Sequence, residues 1–143
     1  MSDRFVSLDL DCVIVGRLEP LWERPEDFVI WESMVKGQPY NGSMWLHSPG
    51  TRSQVLTDFE PDTSPMQARK AGFIGSDQAW FSYKLPGERV WTKQDGVVSW
   101  NSHCRNRGWA LPAGARIVFF QGQESPWDTH VQDRAAWIKE HYR

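Results

Sequence analysis

Cysteine is almost absent: Cys12 and Cys104 are the only two in 143 residues, too few for a disulfide framework. No apolar run approaches the roughly 20 residues that a membrane-spanning helix needs. Met1-Ser2-Asp3-Arg4 has neither the charged nor the apolar region of a secretory signal. A reduced, cytoplasmic setting is therefore expected. Charge of one sign is not in excess either. A net charge of −2 gives no electrostatic case for a nucleic-acid partner or an anionic membrane surface. His47, His103, His130 and His141 lack metal-site spacing. There is no glycine-rich phosphate loop and no nucleophile elbow. Internal repeats and low-complexity tracts are missing as well.

Tryptophan, by contrast, is in surplus, with nine in the chain. Each combines a large apolar body with one N–H donor, and so suits a core or a stacking surface. Packing is the first reading of any one of them; the surplus leaves a ligand platform or a partner interface open. The length bounds a single domain, residues 1–143, with a core of its own.

The pattern predicts a mixed α/β fold. Phe5–Leu8 reads as a buried strand, Phe28–Trp31 as a second, and Ser43–Leu46 as a third, entered through Tyr40-Asn41-Gly42. Arg17–Trp22 reads as a short helical turn. A helix capped by Thr51 is expected to reach Phe59, and a polar loop follows it. Ser76 reads as the N-cap of a helix from Asp77 to about Tyr83. Arg89–Thr92 and Val97–Trp100 flank Gln94-Asp95-Gly96 and read as a hairpin. Arg116–Phe120 is the cleanest strand, and a helix over about Val131–Tyr142 closes the chain.

Asp9-Leu10-Asp11 stands at the end of the first apolar run. Carboxylates at i and i+2 on a strand project to one side and form a hard oxygen pair suited to Mn²⁺ or Mg²⁺. A solvated or capping pair of aspartates is the competing reading. Cys104, between His103 and Arg105, reads either as a low-pKa thiol or as a buried structural cysteine.

Five blocks, in order, resemble one family. Leu8–Gly16 resembles the Asp-x-Asp strand of GT-A glycosyltransferases, especially the glycogenin-like family 8 enzymes and their bacterial and phage relatives. Tyr40–Leu46 resembles that family's Asn-(Ser/Gly)-(Gly/Ser) strand entry, and Gly75–Trp80 its Asp-Gln helix start. Val98–Arg105 resembles a Ser-Tyr-Lys-x-His-Cys-Arg stretch of the bacterial relatives. Ile117–Trp127 resembles the closing His-Gly-x-x-Lys-Pro-Trp segment.

The resemblance implies a GT-A-like three-layer arrangement with a small mixed sheet, truncated so that the N-terminal nucleotide-binding half is missing. It implies that Asp9, Asp11 and Gln121 hold Mn²⁺ or Mg²⁺ against the diphosphate of a nucleotide-sugar donor. Asn41, Gly42, Gly122 and Ser125 would contact substrate, and Asp77 with Gln78 would orient sugar hydroxyls in the catalytic step. A plain helix-capping role for Ser76 or Asp77 competes with that last assignment. Where the missing half leaves the Phe5–Leu8 edge open, a protein partner, self-association or a local rearrangement is expected to cover it.

Three positions depart from the family pattern in one direction. Gln121 replaces a histidine, Ser125 a lysine, and Asn101 a residue that is often lysine. Each exchange removes a group that would hold metal or phosphate, leaving Arg105, Arg107 or Arg116 to compensate. Two functions follow: a glycosyltransferase-like domain with reduced catalysis, or a non-catalytic binding or inhibitor protein derived from the fold. The second would act by sequestering a nucleotide or, for example as a phage-encoded inhibitor, through protein contact.

Overall fold

The structure, a computed structural model, describes residues 3–142. Its chain divides into two compact units. One comprises the chain up to Leu8 together with Pro25–Val90; the other comprises Asp9–Arg24 and Trp91 onward. Mixed α/β is the class, as the sequence pattern predicts, but with two small sheets.

The first unit carries strands β1 (Phe5–Leu8), β3 (Phe28–Glu32), β4 (Tyr40–His47) and β5 (Arg89–Trp91) in the order β1-β4-β3-β5. Phe28–Trp31 are all buried, because β3 lies inside the sheet and a continuous apolar run suits a strand covered on both faces. β1 corrects an expectation. It is an edge strand, antiparallel to β4, and half-exposed, with Phe5 at 47 %. β4 runs longer than its apolar core because Tyr40 is buried and its hydroxyl donates to the Leu85 carbonyl at 2.6 Å.

Register between β3 and β4 breaks midway. Trp45 faces Ile30, yet Asn41 faces Trp31, so Gly42–Met44 bulge from the β3 ladder. The Ser43 amide donates to Asn41 Oδ1 at 2.8 Å, which satisfies a donor at the irregularity.

Helices of this unit are short. α2 (Gln54–Thr57) is a single turn where the sequence predicts a helix from Thr51 to Phe59. Arg52 adopts φ +52 and the Thr51 hydroxyl bonds back to the Ser48 carbonyl, so the helix cannot start there. α3 (Ser64–Lys70) forms within the stretch read as loop, Pro65 sitting in its first turn and Ala68 buried. α4 (Asp77–Lys84) buries Ala79 and Trp80, whose indole N–H reaches the Val55 carbonyl at 2.8 Å.

The second unit contains β2 (Cys12–Ile14), α1 (Glu19–Trp22), β6 (Val97–Ser99) and β7 (Ile117–Phe119). β7 is central, antiparallel to β2 and parallel to β6, giving a mixed sheet. The predicted hairpin does not form. A 3-10 turn at Lys93–Asp95 links β5, in the four-stranded sheet, to β6, in the three-stranded one. Gly96 ends that turn at φ +90, where an added Cβ would meet the Gly114 carbonyl at 2.7 Å.

Val13, Val98, Trp100, Phe120, Val131 and Ile138 build the core of this unit. Trp100 stacks on Phe120 at 4.8 Å and meets Trp109 edge-on at 5.2 Å. The closing helix is broken in two, α5 (Thr129–Arg134) and α6 (Ala136–His141), by the non-helical Ala135. Val131, Ala135 and Ile138 all pack on one core, at the i, i+4, i+7 spacing of a single helix face. Packing is also what most of the tryptophans do. Trp31, Trp91 and Trp100 are fully buried, and Trp127 at 53 % is the most exposed among the described residues.

Candidate functional site

Asp9, Leu10 and Asp11 do not lie on a strand. They form the bend between β1 and β2, with Leu10 turned outward at 92 % exposure. The alternation argument for two carboxylates on one side of a strand therefore does not apply here. Order enters at Asp11, whose carbonyl accepts from the Phe120 amide at 2.9 Å. This bond extends the β2–β7 ladder one step past the Cys12–Phe119 pair. It sets Asp11 opposite Phe120, next in the chain to Gln121. Burial pushes the Asp11 carboxyl above its ordinary value; a hydrogen bond from its own backbone opposes this, and the Asp9 charge adds to the rise.

Gln121 is held from β6 and the turn after it. Its carbonyl accepts from Asn101 Nδ2 at 2.6 Å, and Oε1 lies 3.4 Å from the Ser99 hydroxyl. Asn101 and His103 sit in a π-type turn, Trp100–Cys104. His103 Nδ1 accepts from the Ser99 amide at 3.1 Å, and burial, aided by Lys93 and Arg107, lowers its pKa. This imidazole is neutral and its Nδ1 lone pair is engaged.

Gly122 follows in the left-handed region, φ +99. The Ser125 amide donates to Asp128 Oδ2 at 2.7 Å, closing a turn ahead of α5. Glu124, which the sequence reading did not single out, collects the neighbouring donors. Trp100 Nε1 lies 2.7 Å from it, Arg105 Nε 3.4 Å and His130 Nε2 3.5 Å. Arg105 is thus engaged with a carboxylate, and Arg116 Nη1 with the Arg17 carbonyl at 2.7 Å.

In the first unit, Asp77 opens α4. Ser76 does not cap the helix with its side chain; its hydroxyl donates to Asp77 Oδ1 at 3.0 Å. The Gln78 amide donates to the same oxygen at 2.8 Å. The other oxygen, Oδ2, lies where a Cβ on Gly42 would be, 2.7 Å from the ideal position. Gly42 and Asp77 are brought together, with Asn41 beside them largely buried and its Oδ1 engaged by Ser43. Gln78 packs against Gly75 and reaches the Ile74 carbonyl at 3.5 Å.

Two groups therefore result. In one unit Asp11 pairs with Phe120, the residue before Gln121, with Asp9, Gly122 and Ser125 nearby in sequence. Gly42 and Asp77 meet in the other, with Asn41 and Gln78 adjoining them. No group of three or more His, Cys, Asp or Glu able to hold a metal occurs among the described residues. A cation at Asp9 and Asp11 would take two carboxylates, leaving its other positions to water and phosphate. That donor set fits Mg²⁺ or Mn²⁺, which keep several waters and bind through one or two carboxylates plus phosphate oxygens.

Ser99 and Glu124 escape sequence reasoning because a serine or glutamate four or more residues from its partner leaves no spacing signal. The Trp100–Glu124 hydrogen bond needs the fold itself to bring the two together.

Cys104 proves to be the structural kind of cysteine. It is fully buried in the core, and burial pushes its thiol up to about 12.

No helix among the described residues is long and apolar enough to cross a membrane. No protein-family model and no curated protein matches the chain. Among solved structures it is similar to galactosyltransferase LgtC in complex with donor and acceptor sugar analogues, at a TM-score of 0.56 and 11 % identity. The match covers 99 % of this chain and 62 % of that one, so the chain spans less than two thirds of the enzyme's length. Such a likeness carries the fold and nothing finer: the chain has a glycosyltransferase-like α/β fold.

Proposed function

We propose that the chain is a GT-A domain related to the glycogenin-like family 8 enzymes, taking a nucleotide-sugar donor with the aid of Mn²⁺ or Mg²⁺, and weakened in turnover. Asp9 and Asp11 would hold the cation, with Gln121 as a third, weaker oxygen ligand. The cation would neutralise charge building on the departing diphosphate. Asn41 and Gly42, with Gly122 and Ser125, would contact the donor, and Asp77 with Gln78 would orient sugar hydroxyls.

One observation carries the reading: the hydrogen bond that registers Asp11 opposite Phe120, the residue before Gln121, in a chain of glycosyltransferase-like fold. Burial, and to a lesser degree the Asp9 charge, disfavours the ionised Asp11 carboxylate, and a divalent cation beside it would favour that form.

A second reading, a binding or inhibitor protein that has lost the chemistry, has its own support. Gln121, Ser125 and Asn101 are neutral, and Arg105 is engaged by Glu124. Removing several such contacts to a leaving diphosphate costs orders of magnitude in rate.

Calorimetric titration with Mn²⁺, followed by UDP and UDP-sugars, separates the two. Metal-dependent nucleotide binding with slow donor hydrolysis supports the transferase. Nucleotide binding without hydrolysis supports sequestration. Binding of neither overturns both and leaves a protein-contact role, for which the open β1 edge offers a place.

A further inference from the structure

Two adjoining cavities lie wholly among residues of the first unit. One, of about 470 Å³, is walled chiefly by Phe5, Phe28, Trp45, Val55, Leu56 and Phe81. The other, of about 400 Å³, shares Val55, Leu56 and Phe81 and continues past Phe59 and Trp80 to Ser76 and Asp77. Each volume falls within the range of small-molecule sites, roughly 300–1,000 Å³. Their shared wall makes them one elongated trough.

The polar groups along the trough are engaged elsewhere. Arg52 binds Glu88 at 2.8 Å and Asp27 at 2.7 Å, and its guanidinium lies 5.4 Å from the centre of the Phe28 ring. The Thr51 hydroxyl donates to the Ser48 carbonyl, and His47 stacks on Phe5. With Arg52 doubly paired to carboxylates, the trough holds no spare positive charge to attract an anion. Its middle is apolar, which suits a hydrocarbon and offers little to sugar hydroxyls. Leu56, in the wall the two cavities share, is 83 % exposed, a large apolar side chain left facing solvent. At the far end stands the Asp77 carboxylate, an acceptor for a hydroxyl.

We propose that this trough binds a linear acyl or prenyl chain whose terminal hydroxyl meets Asp77.

Amide NMR on the full chain, titrated with 1-decanol and separately with glucose, tests this. Decanol is expected to shift Val55, Leu56, Phe81 and Asp77 saturably, while glucose leaves them in place. Leu56→Asp, at a position the fold does not bury, should weaken decanol binding at least tenfold. Leu10→Asp, an equally exposed change in the other unit, should leave it unaltered. Absence of saturable shifts, or shifts indifferent to Leu56→Asp, overturns the proposal. Sedimentation that reveals dimers abolished by Leu56→Asp, without decanol binding, assigns the trough to a second copy and also overturns it. Decanol binding without Mn²⁺-dependent UDP binding supports the trough as a chain-binding site. UDP binding without decanol binding overturns the trough and spares the transferase.

Discussion

Gly42 and the Asp77 carboxylate compete for one space: a methyl group on Gly42 would sit 2.7 Å from Asp77 Oδ2. The bulge in β4 and the first turn of α4 are therefore fitted to each other through the absence of a side chain. Gly42→Ala is expected to push the carboxylate aside at a cost of about 1 kcal/mol, the low end for overpacking, since only the tip of an exposed side chain must move. In an Asp77→Ala background the same change should cost close to nothing, because the obstructing group is gone. Urea denaturation of the four proteins measures the coupling, and strictly additive costs would refute the contact.

Asp11 carries a proton more readily when folded than when unfolded, because burial raises its pKa above 3.8. Its ionised form therefore weakens the fold above the folded-state pKa, and the penalty fades as pH falls, vanishing below the unfolded value. Asp11→Asn is expected to raise Tm at neutral pH, with the gain lost in acid. Mn²⁺ should raise the Tm of the natural protein and leave that of Asp11→Asn unchanged. Equal Mn²⁺ responses in the two proteins would dismiss Asp11 as a ligand.

The indole of Trp100 donates to a carboxylate, Glu124 Oε2 at 2.7 Å, from a fully buried position. Trp137 donates to a neutral carbonyl, that of Trp109, at 3.0 Å. Hydrogen bonds to charged groups are worth about 1.5–3 kcal/mol and neutral ones about 1. Trp100→Phe should thus destabilise by about 2–4 kcal/mol once lost packing is added, clearly more than Trp137→Phe. Chemical denaturation that ranks the two in the opposite order would show that packing alone decides.

Both thiols should be silent in the native protein. The pKa of Cys12 is pushed up to about 11 and that of Cys104 to about 12, burial being the main cause in each case. At pH 8 a thiol of pKa 11 is ionised in only about one molecule in a thousand. Iodoacetamide at pH 8 is expected to label neither within minutes and both after denaturation, as read by mass spectrometry. Rapid native labelling of Cys104 would restore the reactive-thiol reading.

Strand positions were legible where the local pattern and the tertiary demand agree. Phe28–Trp31 is apolar throughout because both faces are covered, and Ile117–Phe119 because it is the central strand of its sheet. The pairing of strands was not legible. Gln94-Asp95-Gly96 carries every local sign of a hairpin turn, yet the left-handed Gly96 sends the chain into a different sheet. The helix predicted near Val131–Tyr142 breaks at an alanine, a residue with no breaking tendency, and no local signal marks the break. For the site, Gly42 and Asp77 stand in separate blocks of the sequence, and only the fold shows that they touch. The strand geometry invoked for Asp9 and Asp11 failed, since alternation says nothing about a residue in a bend.

The chain passes from one unit to the other at Asp9, at Pro25 and at Trp91. The unit that holds β1, β3 and β4 has its whole sequence once Val90 has left the ribosome. β2 must wait for β7, more than a hundred residues later, before its backbone finds a partner. During synthesis the first unit is therefore expected to fold while Asp9–Arg24 is still an unstructured loop tethered at both ends. The segment bearing the two aspartates would acquire its shape among the last in the molecule.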